Sequence, residues 1–187
     1  MIHECNRALE NIWSAAALGH DLELRPADGL TDHAFLCRRW DHDHYVFSHV
    51  GAAVRAIHGR ELIDHNLLEL WRADDRAQVR DALEHAINLR APVLLRSSGR
   101  RITGGSIAFE ATFWPLAGPA SQVDRVLGAI APCVGAHCVG AHWGAPVIEH
   151  GVDEIGFLPG ATDAQAPRAA RLVELLMDAG LRPSSLS

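Results

Sequence analysis

Between Cys133 and His142 the chain carries Cys133, His137, Cys138 and His142, two thiols and two imidazoles that together make the donor set of a zinc site. Zinc usually joins two ligand pairs separated by a fold. These four are all local, and the adjacency of His137 and Cys138 makes convergence on one ion awkward. The stretch VGAHCVGAHWGAP also repeats Val-Gly-Ala-His, and a short tandem duplication copies a histidine without any demand from a metal. A metal or haem site here is a secondary reading.

Other reactive side chains point to still less chemistry. A nucleophilic cysteine needs a thiolate, activated by a nearby histidine or a helix N-terminus. Cys5 has His3 close in sequence, and Cys37 lies in an extended apolar run, an ordinary core position. Asp41, His42, Asp43 and His44 are consecutive in a turn between two strand-like runs, where alternating side chains cannot all meet one cation. Arg100 and Arg101 can grip an anion by their fork geometry, but no glycine cradle accompanies them, and they read as surface. No catalytic residue is assigned, and a non-enzymatic role is expected.

The 17 basic residues are all arginine, which removes Schiff-base and P-loop lysine chemistry, and the net charge is −6, which gives no footprint for nucleic acid. No apolar run approaches the roughly 20 residues of a membrane helix, and four irregularly spaced cysteines suit reduced thiols. A cytoplasmic protein without membrane insertion is expected. With 187 residues, 48% of them hydrophobic, one domain and some appended segment fit, leaving no room for an attached kinase, cyclase or DNA-binding domain.

The elements that must position any site follow from periodicity. Residues 6–18 place Leu9, Ile12, Trp13 and Ala16 at helical spacing ahead of Gly19. HAFLCRRW and HYVFSHVG read as a hairpin, and the next stretch, punctuated by Gly59, reads as two short helices. Residues 74–89 give the strongest helix, with a Val79, Ala82, Leu83, Ala86, Ile87 stripe, Asp74 or Asp75 as cap, and Pro92 forbidding continuation. Three strands follow: PVLLRSS, GSIAFEATFWPL and VDRVLGAIA. In the middle one Ile107, Phe109, Ala111 and Phe113 share the face expected to be inner. From Cys133 to about Gln165 the composition reads as an irregular arm, in which Val134, Val139, Trp143 and Val147 can lie across the sheet or a neighbouring subunit. A last helix at about 166–179 carries Leu172, Leu175, Leu176 and Ala179 before Gly180. The expected fold is α+β: a five-stranded antiparallel sheet with helices on one face, plus an N-terminal helix and a C-terminal arm and helix.

Residues 44–71, HYVFSHVGAAVRAIHGRELIDHNLLELW, resemble a bacterial single-domain PAS family in which a strand ends in Gly, a short helix follows, and Gly-Arg-Glu-Leu precedes a Leu-Trp helix. Trp13 in the opening helix, FWPL at 113–116 and VDRVLGAIAP at 123–132 keep the family's order, so the resemblance spans roughly residues 8–132. It implies an organisation of N-terminal amphipathic helix over 1–20, PAS-like domain over 21–132, and arm with C-terminal helix over 133–187. It also implies a sensory or regulatory module, with no fixed substrate and no catalytic residue to carry over.

The inner residues Val54, Ile57, Leu67, Leu70, Trp71, Ile107, Phe109, Phe113 and Ile130 either line a ligand cavity or fill a close-packed core. Trp71 stands out because a buried indole N–H needs an acceptor, from a ligand oxygen or a backbone carbonyl. Leu9, Ile12 and Trp13 either form a homodimer seam, as flanking helices of PAS-like domains often do, or pack on the chain's own sheet. Expected partners are a second copy, a small-molecule ligand and a signalling protein, the alternative being an adaptor with a filled core. The sequence requires no cofactor and names none.

Overall fold

The computed structural model describes residues 4–17, 30–118, 122–133, 145–158, 174, 176–178 and 180–181. His137, Cys138, His142, Val134, Val139, Trp143, Leu172, Leu175 and Ala179 lie outside the described residues.

Helix α1 spans Glu4–Ala17 and a short α2 spans Leu30–His33. The hairpin β1 (Ala34–Asp41) and β2 (His44–Val50) follows, its turn closed by the Asp41 carboxylate, which accepts from the Asp43 amide at 2.8 Å. Helix α3 (Ala52–His58) ends at Gly59, whose φ of +60° is left-handed. A Cβ at Gly59 would also come within 2.5 Å of the Pro146 side chain, so glycine is needed there twice over. Two 3₁₀ turns, Leu67–Leu70 and Ala73–Asp75, lead into α4 (Arg76–Leu89), which stops where Arg90 turns left-handed before Pro92. Asp75 stands at the N-cap of α4, but its carboxylate accepts from the amide of Val152 at 3.1 Å and pairs with Arg72 instead of capping.

Strands β3 (Val93–Arg101), β4 (Ser106–Ala117) and β5 (Val123–Pro132) form the expected meander. The sheet has a sixth strand, β6 (Val147–Phe157), in the segment expected to be irregular arm. The order is β2-β1-β5-β4-β3-β6, and every pairing is antiparallel. The segment after residue 132 therefore contributes a full strand to the sheet, and Val147 belongs to that strand with its side chain in the inner core.

Each face of the sheet carries its own core. On the inner face Phe35, Phe47, Leu95, Phe109 and Phe113 pack under α3, α4 and the 3₁₀ turns, with Val79 and Leu83 of α4 fully buried. On the outer face Leu36, Trp114, Leu116 and Leu127 are covered by Leu9, Ile12 and Trp13 of α1, joined by Leu176 and Leu181. Burying each of these large side chains contributes roughly 1.5–3 kcal/mol. No helix among the described residues is long and apolar enough to cross a membrane.

Candidate functional site

The inner core is apolar except where α3, β3 and β6 meet. His58, in the last turn of α3, is 5% exposed, and His150, in the middle of β6, is 0% exposed. Their Nε2 atoms lie 3.1 Å apart. His58 Nδ1 is 2.8 Å from the carbonyl of Val54, one helical turn back, and His150 Nδ1 is 3.3 Å from Ser97 Oγ.

These partners fix the protons of the neutral pair. A carbonyl only accepts, so His58 Nδ1–H donates to Val54, leaving a lone pair on Nε2. His150 Nε2–H then donates to that lone pair, and His150 Nδ1 accepts from the Ser97 hydroxyl. The result is one directional chain from Ser97 through His150 and His58 to the backbone of α3. Burial drives the pKa of His58 down to about 4, opposed by the Val54 hydrogen bond and reinforced by Arg60. Burial, and then His58 itself, pushes His150 well below the ordinary range. Both rings are neutral at pH 7.

Aromatic rings enclose the pair. The Phe109 and Trp71 ring centroids lie 5.0 and 5.4 Å from that of His150. Trp71 Nε1 is buried and has no hydrogen-bond partner, backbone carbonyl included, among the described residues. The backbone holds this arrangement: Trp71 bridges His150 in parallel, the Arg72 amide donates to the His150 carbonyl at 2.8 Å, and Asp75 takes the Val152 amide. Gly99 lies opposite His150 in the ladder. A Cβ on Gly99 would come within 2.6 Å of the Phe109 ring, so its absence is what lets the rings close in.

Most sequence-designated residues lie in this core. Val54, Ile57, Leu67, Leu70, Trp71, Phe109, Phe113 and Ile130 are each at most 2% exposed, and Ile107 packs at the margin. Leu9, Ile12 and Trp13 are buried against the chain's own sheet, which occupies the seam considered for dimer pairing. Cys37 is an inner-core residue whose thiol burial pushes well up, and Cys5 is raised to about 11, so neither is poised as a thiolate. Cys133 is exposed at the end of β5, apart from the inner cluster, and among the described residues no group of three or more His, Cys, Asp or Glu is placed to hold a metal.

Two arrangements were not anticipated from sequence. One is the histidine pair itself, whose members are 92 residues apart. The other joins hairpin and helix: Arg39 grips Glu84 with a fork at 2.7 and 2.9 Å, and the Tyr45 hydroxyl donates to the same carboxylate. Arg39 and Tyr45 face each other across the β1–β2 ladder, which was the available signal for this second group.

An antiparallel sheet with short helices packed on its inner face places the chain in the α+β class. The chain belongs to the PAS domain family, whose model matches residues 1–131. Among solved structures, a Rhodobacter sphaeroides LOV protein is similar at 16% identity and TM-score 0.46, over 56% of this chain and 60% of that one. The chain thus spans less than two thirds of that protein's length. A fungal LOV domain photoreceptor is similar at 16% identity and TM-score 0.46, over 69% and 94% of the two chains. The PAS domain of a Colwellia psychrerythraea protein is similar at 11% identity and TM-score 0.43, over 67% and 96%. No curated protein matches the chain.

Proposed function

We propose that this PAS protein is a small-molecule-responsive regulatory module, non-catalytic, whose input is the His58–His150–Ser97 cluster and whose output passes to a protein partner. The observation that carries this reading is the Trp71 indole N–H, buried beside His150 without an acceptor among the described residues. Such a donor costs about 1–3 kcal/mol when unmatched, and a ligand that supplies an acceptor recovers that amount. The apolar residues Val54, Ile57, Leu67, Leu70 and Phe113 belong to the same inner core.

The test is a fragment screen on the full chain by NMR, with the Trp71 indole and the two imidazoles as reporters. Binders are expected to move all three signals together and to weaken when Trp71 is replaced by Phe. Binders that move only other regions, or a screen in which nothing moves these signals, would defeat the reading. The burial of the inner-core side chains also suits a second reading, an adaptor with a filled interior. That reading predicts a co-purifying protein and no small-molecule binder at the cluster.

A further inference from the structure

His150 reaches the inner face from a strand outside the family match. The match ends at residue 131, and the sheet to that point already runs β2-β1-β5-β4-β3. Strand β6 then adds itself to the remaining edge of β3 by backbone pairing, helped by the ion pairs Arg96–Glu154 and Arg100–Glu149. None of that pairing needs an imidazole. The ring nevertheless makes the contacts that a bound heterocycle would make. Its N–H donates to His58, its second nitrogen accepts from Ser97, and its faces and edges meet Phe109 and Trp71.

We propose that the space bounded by His58, Ser97, Phe109 and Trp71 is a binding site for a neutral, planar nitrogen heterocycle, and that His150 is its tethered occupant. This rests on the reading of that cluster as the input site and names its ligand class. A ring with one N–H and one unprotonated nitrogen in a 1,3 relation satisfies the existing chain of hydrogen bonds without rearrangement. All the hydrogen-bond and ring partners of His150 are uncharged, so an ionised ligand would lose its hydration with no counterion. The tether gives His150 an effective concentration of about millimolar or above. A free ligand therefore displaces it only with extra contacts, such as an acceptor for Trp71.

The test is the His150→Ala variant of the full chain, titrated with imidazole and with pyrrole at about pH 8, where imidazole is neutral. Pyrrole has the same ring size but no acceptor nitrogen. Imidazole is expected to bind one to one, at least roughly tenfold tighter than pyrrole and roughly tenfold tighter than imidazole binds the wild type. A second change, Ser97→Ala, which removes the donor to the acceptor nitrogen, should erase the preference. If His150→Ala does not fold alone, rescue of folding is the readout, with imidazole expected to restore it and pyrrole not. Equal binding or rescue by both rings, or none by either, overturns the proposal. The two readings fail separately: a wild-type screen without hits would leave an imidazole-selective His150→Ala site standing. Wild-type binders at Trp71 together with a non-selective variant would remove only the tethered occupant.

Discussion

The two faces of the sheet solve the same problem in different ways. Under α1, the outer face buries Asn6, Glu110 and Thr112. Asn6 Nδ2 donates to Glu110 at 2.9 Å, Thr112 donates to Asn6 Oδ1 at 2.8 Å, and the Trp13 indole donates to the Pro115 carbonyl at 2.9 Å. One indole there, Trp114, lacks an acceptor among the described residues, but its ring is packed on Trp13 with centroids 5.6 Å apart. The inner face buries two neutral bases whose chain of hydrogen bonds is complete only while both stay unprotonated, beside an indole donor, Trp71, that has no acceptor among the described residues. The outer cluster holds a helix to its sheet. The inner cluster is held in place by its surroundings and is the part that protonation would break.

Perturbing each face in turn sharpens this contrast. Trp13→Ala should have the largest effect, about 3–5 kcal/mol lost in urea unfolding from the cavity and the lost contact with Trp114. The histidine signals should stay unchanged in that variant. Asn6→Ala leaves Glu110 and Thr112 buried with fewer partners and should cost about 2–3 kcal/mol, by the same measurement.

On the inner face the signature is pH dependence. The unfolded chain protonates its histidines at the ordinary 6.5, whereas folded His58 does so only at about 4. The unfolded state therefore binds more protons in that window. Stability is full above the ordinary value and is lost as the pH falls towards the folded one. His58 alone should cost about 2 kcal/mol at about pH 5 relative to neutral pH. His58→Leu should reduce the slope by the share of His58, leaving that of the buried His150, and Asn6→Ala should leave it intact, which separates the two faces. The smallest effect is expected from Asp75→Ala, which strips the Val152 amide of its acceptor and should cost about 1 kcal/mol. It should speed amide exchange at Val152 well before exchange at strands β1 and β5 changes.

The legible parts of the fold were those with an unbroken period. The α4 stripe from Val79 to Ile87 and the alternation of Phe109, Ala111 and Phe113 fall on the faces expected for them. Strand β6 was not legible, because its inner-facing residues Val147, His150, Val152 and Ile155 are not evenly spaced. Pairing shifts opposite Arg100/Arg101 and Arg96/Ser97 break the period of two, and the flanking Gly, Ala and Pro conceal the rest. Trp71 could be singled out from sequence, since any buried indole raises the question of its acceptor. Its neighbours could not, because His58 and His150 meet only once β6 has docked on β3. The Cys133 cluster, conspicuous in sequence, does not include either histidine of the inner site.

The central claim is a buried, neutral histidine pair with a fixed direction of hydrogen bonding. Nitrogen-15 NMR of the imidazoles across a pH titration tests it most directly. The account predicts the proton on Nδ1 for His58 and on Nε2 for His150, a coupling between the two Nε2 atoms, and no titration of either ring above about pH 6. A proton on Nε2 of His58 at neutral pH, or either ring titrating at its ordinary value of about 6.5, would contradict it.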